Sequence, residues 1–370
     1  MDVTDLKLLV LVDATTVGGA ETCLGTVLEG LDPRTEVVLC GPDVAVLAFL
    51  AARRPGARLL PLPQPTRLRE MRIGWALRRA LKSERPQVVH ANLTSLSSCE
   101  GALVVALSLG FPVVAVEHLP IPPRSRWSAL LKLATARRLA AHVAVGEEAA
   151  RLVERHGRLP AGSVLVIRNG VPDRGAAPIR PVDGPVVLGT LGRLVTQKGV
   201  DILLRALVQV PHVRLIVGGE GPERAALEDL AHLLGVSERT EFTGWVEEPA
   251  ERLASCDVLV QPSRSEGLSL VVLEAMFAGR PVVATRVGST AEAVLHGVTG
   301  LLVPPEDPDA LGEALRAVCD DPLLRERLGR AARERAASEF DAATMTAGYA
   351  VLYAQVRSLG RKARRTVTTG

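Results

Sequence analysis

Aromatic residues are scarce in this chain, at 3% of 370 positions, with three Trp, two Tyr and five Phe. Any buried core must therefore be built from Leu, Val, Ile and Ala, which the 47% hydrophobic content supplies. Cysteine is also sparse. Cys23, Cys40, Cys99, Cys256 and Cys319 are scattered, odd in number and never spaced C-x-x-C. That argues against a disulfide framework and a zinc site, and it fits reduced thiols in a cytoplasmic protein. No apolar run is long enough to span a bilayer, and the opening MDVTDLK has no apolar leader. Net charge is also low, at +3, which does not point to nucleic acid as the main partner, and none is expected. The bases are unevenly placed, however. Residues 53–85 hold ten Lys or Arg against two acids, and 124–138 hold five bases and no acid. Each stretch reads either as a solvated helix face or as a peripheral surface for an anionic membrane or acceptor.

What the chain does have is a repeated grammar. Short apolar runs alternate with helical patterns, the mark of parallel sheets covered by helices, so the fold class is α/β. Strands are expected at 6–12, 36–40, 87–90, 112–117, 142–145 and 164–167. The stretch AAPIRPVDGP (176–185) carries three prolines and breaks the pattern as a linker. The grammar then restarts, with strands expected at 186–191, 213–217, 240–243, 258–261, 281–284 and 300–302. Two Rossmann-like, doubly wound domains follow, 1–178 and 179–340. A last helix over 341–360 is expected to return to the first domain, and 361–370 to form a disordered tail. Ligands of such sheets bind beyond the carboxyl ends of the strands, so two facing domains would hold one between them.

The most informative segment is DVLVQPSRSEGLSLVVLEAMFAGR, from Asp257 to Arg280. It reads as strand, loop and then a helix over 268–277. Glu266 lies in the loop and Glu274 in the helix, about 12 Å apart if the rise were helical throughout. Between them, Gly267, Leu268, Ser269 and Leu270 open the helix. Their amides lack intrahelical acceptors and sit at the positive end of the dipole, where phosphate binds readily. Two Glu on a helix are ordinarily a solvated face. A strand, a Gly loop and a helix start around them favour a diphosphate flanked by two hydroxyl-binding carboxylates.

This segment, EGLSLVVLEAMFAGRPVVATRVGSTAEAV, resembles the signature of glycosyltransferase family 4. The resemblance implies a GT-B architecture and a retaining transferase that uses a nucleotide-sugar donor. It implies that Glu274 holds the ribose hydroxyls, that Glu266 lies beside the donor sugar, and that amides of 267–270 take the pyrophosphate. The run LGRLVTQK is similar to the family's phosphate-binding loop, which makes Arg193 and Lys198 the cations on the leaving diphosphate. VGGEGPE, with Gly218, and TGWV, with Gly244, resemble the segments near the base and phosphates. Without the resemblance, the first is only a tight turn.

In the first half, Gly18 and Gly19 open a helix in a G-G-x-E run, where amides can face an anion or the sugar. His118 ends a strand, where a side chain either packs structurally or meets the ligand edge and donates to a sugar hydroxyl; the family's strand-end His implies the second. His90 has packing as an equal reading. NGVP at Asn169 has Pro172 where the family has Asp. Asp307-Pro308-Asp309 spells D-x-D, but it precedes a helix, and Asp309 reads as an N-cap. No cofactor and no metal are expected. The expected partners are a nucleotide-sugar donor, UDP favoured and GDP second, and a hydroxyl acceptor. The expected location is cytoplasmic, with peripheral contact at the inner membrane face. A nucleotide-sugar epimerase or hydrolase, or a non-catalytic sugar-nucleotide-binding subunit, would share much of this pattern.

Overall fold

The computed structural model describes residues 6–63, 70–122, 125–177 and 184–368. The chain divides into two compact units, Met1–Asn169 with Ala342–Gly370, and Gly170–Asp341. Most of the expected linker, 178–183, lies outside the described residues.

The first unit holds a seven-stranded parallel sheet. Its strands are β1 (Lys7–Val12), β2 (Glu36–Gly41), β3 (Arg58–Pro61), β4 (Val88–Leu93), β5 (Val113–Glu117), β6 (Ala141–Ala144) and β7 (Leu165–Val166), in the order β3-β2-β1-β4-β5-β6-β7. The central strands are apolar almost throughout because helices cover both faces. Strand β3 was not expected. Its sequence, RLLP, is mostly exposed and forms the sheet edge, so it lacks the apolar signal of a central strand. The helix Ala342–Thr368 belongs to this unit and packs against the helix Gly19–Gly30. Tyr349 and Tyr353 lie buried on it. It is continuous to Thr368, through most of the stretch whose composition reads as a tail.

The second unit repeats the plan with six strands. These are β8 (Val186–Leu191), β9 (Val213–Gly218), β10 (Thr240–Gly244), β11 (Val258–Gln261), β12 (Val282–Thr285) and β13 (Gly300–Val303), ordered β10-β9-β8-β11-β12-β13. All pairings are parallel. Leu188, Leu203, Leu215, Val260, Leu311 and Leu328 are among the residues that fill one core cluster. The helix Pro308–Asp320 is capped by Asp307, whose carboxylate accepts from the Ala310 amide at 2.9 Å. Asp309 is therefore not the cap. Pro308 occupies the first helical turn, which moves the cap one residue earlier. Among the described residues no helix is long and apolar enough to cross a membrane.

In each unit the strand order reverses once, between β1 and β4 and between β8 and β11. The loops leaving those strands flank the switch point, where open α/β sheets bind ligands. The sequence-predicted Lys198 and Glu266 follow β8 and β11, and Gly18 follows β1.

Candidate active site

Chain geometry brings the two loops of the second unit together. After β8 the backbone makes a 3-10 turn, Thr196–Lys198, then passes through Gly199 at φ +65° into the helix Val200–Leu207. A Cβ on Gly199 would stand 2.1 Å from the Pro262 carbonyl, so the loop after β11 is seated directly against it. Gln197 Nε2 donates to the Ser265 carbonyl at 2.8 Å, and the Arg264 amide donates to Gln197 at 2.7 Å. The Arg264 guanidinium grips Asp201 through two bonds of 2.8 and 2.9 Å and also pairs with Glu306. That fork holds Arg264 pinned, with its charge strengthened by the acids it touches.

Locked in this way, Lys198 Nζ reaches Glu266 Oε1 at 2.6 Å. The family resemblance implies separate tasks for these residues, one on phosphate and one on sugar. The structure joins them in an ion pair, the lysine half-buried and the glutamate buried. Arg193 is exposed, and its guanidinium has no ion pair among the described residues. The helix starts at Leu270, two residues later than expected, with Ser269 as N-cap. Gly267, Leu268 and Ser269 thus precede the first turn rather than forming it. The helical rise then covers only part of the path from Glu266 to Glu274, which is half-buried within the helix.

Gly218 and Gly244 hold neighbouring loops together. Gly192 donates to the Gly218 carbonyl at 2.9 Å, and Gly219 to the Gly244 carbonyl at 2.7 Å. Thr190, Gly192, Lys198, Gly218 and Gln261 all line one pocket at this edge. Two contributors had escaped sequence reasoning. Gln261 and Ser263 are 2% and 0% exposed and both bond to Glu266. The available signal was a glutamine closing the apolar run VLVQ, in a strand otherwise free of polar groups.

In the first unit His118 follows β5. Its amide donates to the Leu93 carbonyl at 2.9 Å, and its Nε2 lies 2.7 Å from Asn92 Oδ1 at the end of β4. Burial pulls its pKa to about 4, against the opposing pull of Glu117. His90 is buried, with Nδ1 2.7 Å from the Tyr353 hydroxyl, and burial, aided by His118, drives its pKa to about 3. Of its two readings, the structure shows the packing one. Gly18 caps the first helix, and its amide donates to Glu21 Oε2 at 3.0 Å. One of the two predicted glycine amides is therefore already used by the protein, and Gly19 opens the helix beside it. Asn169 Oδ1 accepts from the buried Cys23 thiol at 3.1 Å. The acid missing at Pro172 sits one residue on, at Asp173, where it pairs with Arg333 at 3.0 Å. Of the two basic stretches, 64–69 and 123–124 lie outside the described residues. The helices Glu70–Glu84 and Arg126–Ala136 expose Trp75 and Trp127.

The two neutral histidines, His90 buried and His118 half-buried, make this unit acid-sensitive. Both fall from 6.5 to about 3 and about 4 on folding, so the unfolded chain binds more protons just below neutrality. Their contribution is complete above pH 6.5 and is lost as pH falls toward the folded values. Glu117, held below its ordinary 4.5, acts in the same direction at lower pH. Melting of the first unit should be flat above about pH 7 and decline steadily toward about pH 4. A melting temperature unchanged over that interval would show that folding does not hold these imidazoles neutral.

Comparison with known proteins bears on the family and the fold. Residues 17–174 match the family model described as Glycosyltransferase Family 4, and residues 176–335 match that of Glycosyl transferases group 1. The chain belongs to these glycosyltransferases. The D-inositol 3-phosphate glycosyltransferase of Kribbella flavida is 36% identical over 64% of this chain and 61% of its own length. The sulfoquinovosyl transferase SQD2 of Arabidopsis thaliana is 31% identical over 77% and 60%. A glycogen synthase of Mycobacterium tuberculosis is 38% identical over 51% and 48%. The chain thus spans about half to three fifths of these curated relatives. Among solved structures, Anabaena HepE in complex with UDP superposes with a TM-score of 0.83 at 22% identity, covering 95% of this chain and all of that one. Sucrose-phosphate synthase of Thermosynechococcus elongatus gives 0.81 at 21%, covering 96% and 100%. Both likenesses show that this glycosyltransferase has the GT-B fold.

Proposed function

We propose that the chain transfers a sugar, with retention at the anomeric carbon, from a nucleotide-diphosphate sugar to a hydroxyl acceptor. UDP is favoured as the donor base and GDP comes second. The observation that carries this reading is the Lys198–Glu266 contact beside the start of the helix Leu270–Phe277. It puts a cation, a carboxylate and a helix N-terminus at one sheet edge, the set that a diphosphate joined to a polyol requires. The preference for UDP is supported by HepE, whose solved complexes contain UDP and UDP-glucose.

In the reaction, the acceptor oxygen bonds to the anomeric carbon on the face the diphosphate leaves. The bond from that carbon to the phosphate oxygen breaks, and the acceptor proton passes to the departing phosphate. Lys198 and Arg193 take up the negative charge that develops, together with amides at the helix start. Glu274 holds the ribose, and Glu266 and His118 orient the sugar. With that charge met by side chains and the helix dipole, no metal is needed. His118 is neutral at neutral pH and serves as a hydrogen-bonding group, not as a cation.

The test is a thermal-shift panel of UDP-, GDP- and ADP-sugars with EDTA present, followed by NMR of the product's anomeric configuration. A stabilising UDP-sugar and a retained configuration are expected. Altered free sugar in place of a glycoside would favour the epimerase or hydrolase reading. Binding without turnover would favour a non-catalytic subunit, and no shift with any donor would end the proposal.

A further inference from the structure

Glu266 has more partners than a sugar ligand needs. Lys198 Nζ, Gln261 Nε2 and Ser263 Oγ all reach the same oxygen, Oε1, at 2.6, 2.7 and 2.7 Å. The second oxygen, Oε2, has no hydrogen bond among the described residues. From this asymmetry we infer that Gln261 and Ser263 are positioning residues: they hold Oε1 so that Oε2 stays aimed at the donor sugar when Lys198 turns to the diphosphate. The inference rests on the proposed function and assigns a task to two residues which that reading leaves idle.

The polarity of the network is fixed. Only the amide nitrogen of Gln261 can face a carboxylate, and the same nitrogen donates to Ser263 Oγ at 2.7 Å. Ser263 therefore has its one proton left for Glu266. Both residues are buried, so water does not compete for these bonds. Their backbone is pinned as well. Thr285 Oγ1 donates to the Ser263 carbonyl at 2.5 Å, and Ser289 donates to the Gly267 carbonyl at 2.9 Å. A Cβ on Gly288, which sits at φ +50°, would come within 1.8 Å of the Glu266 carbonyl, so the loop has no room to shift there.

Lys198 differs from the other two. It is half-buried, and its ammonium rides on a flexible stem, so it is the one donor able to leave for an anion. Once it leaves, an unsupported carboxylate would be free to rotate, and the two neutral donors prevent that. Gln261 also bears a cost that packing alone does not explain. Its carbonyl oxygen is buried with no hydrogen-bond partner among the described residues. An apolar side chain would fill the same space without that penalty.

The experiment uses Gln261→Met, which keeps the shape and removes the donors, Ser263→Ala, and Gln261→Glu, which places a second carboxylate against the first. UDP affinity should stay within about twofold of wild type. kcat with the donor sugar should fall about 10- to 100-fold for Gln261→Met, the range for removing a residue that orients a reacting group, less for Ser263→Ala and more for Gln261→Glu. A ligand-free crystal structure of the Lys198→Ala/Gln261→Met/Ser263→Ala triple variant should show the Glu266 carboxylate displaced, whereas Lys198→Ala alone should leave it in place. That readout needs no turnover, so it stands apart from the transferase assignment. An unmoved carboxylate in the triple variant, or a Gln261→Glu enzyme as active as wild type, would overturn the inference.

Discussion

Lys198→Ala is expected to lower kcat/KM by about 10²- to 10³-fold while the second unit keeps its fold. Two magnitudes decide this. The Lys198–Glu266 pair has a lysine that is 22% exposed, and a pair open to water on one side contributes at most about 1 kcal/mol to stability. Glu266 also keeps Gln261 and Ser263 after the lysine is gone, so no buried charge is abandoned. Losing a cation from a diphosphate as charge builds on it costs about 3–4 kcal/mol of transition-state stabilisation. The loss therefore falls on catalysis rather than folding. Because the two side chains touch before the donor binds and part when Lys198 turns to the diphosphate, the costs of Lys198→Ala and Glu266→Gln should not add. Steady-state kinetics on the four proteins of the cycle measure this. Near-normal transfer by Lys198→Ala would remove the role assigned to it, and strict additivity would mean the contact does not change between the free protein and the transition state.

That pair also shows where sequence reasoning reached its limit. Both residues were visible in motifs, and the strands that carry them, Val186–Leu191 and Val258–Gln261, start and stop where their apolar runs do. Parallel strands covered on both faces write themselves as unbroken apolar runs, so the two-unit grammar was legible. Strand β3 was not, because an edge strand carries no such run. The contact between Lys198 and Glu266 was invisible for another reason. It depends on Gly199 meeting Pro262 and on Arg264 gripping Asp201, pairings separated by more than sixty residues. Motifs name the members of a site, whereas long-range packing decides which members touch. Gln261 went unnoticed because its neighbours make it look like one more strand residue. Only its burial and its two donated bonds distinguish it.

The second large effect is on stability, in the first unit, directly behind His118. Glu117 is fully buried at the end of β5 and is paired with Lys132 on the helix Arg126–Ala136 and with His142 Nε2 on β6, the latter at 2.9 Å. Burial alone would raise the Glu117 pKa, but the lysine charge and the histidine bond outweigh it and hold the carboxyl below its ordinary range. The Glu117 carboxylate is thus ionised and closed off from water. Lys132→Met leaves that carboxylate with only an imidazole for company, and stranding a buried charge costs about 3–5 kcal/mol. Against a typical domain stability of about 5–15 kcal/mol, the first unit should melt well below wild type. Lys132→Met combined with Glu117→Leu should recover most of the loss, because an apolar pair of similar volume removes both desolvation costs. Calorimetry of the single and double variants checks this. If Lys132→Met melted like wild type, the carboxyl would have to be taking a proton instead of keeping its charge. The residue after Glu117 is His118, so the anchor that fixes the strand end also fixes the ring proposed to orient the sugar. A partly rescued double variant that folds but transfers poorly would show that the buried ion pair serves alignment more than stability.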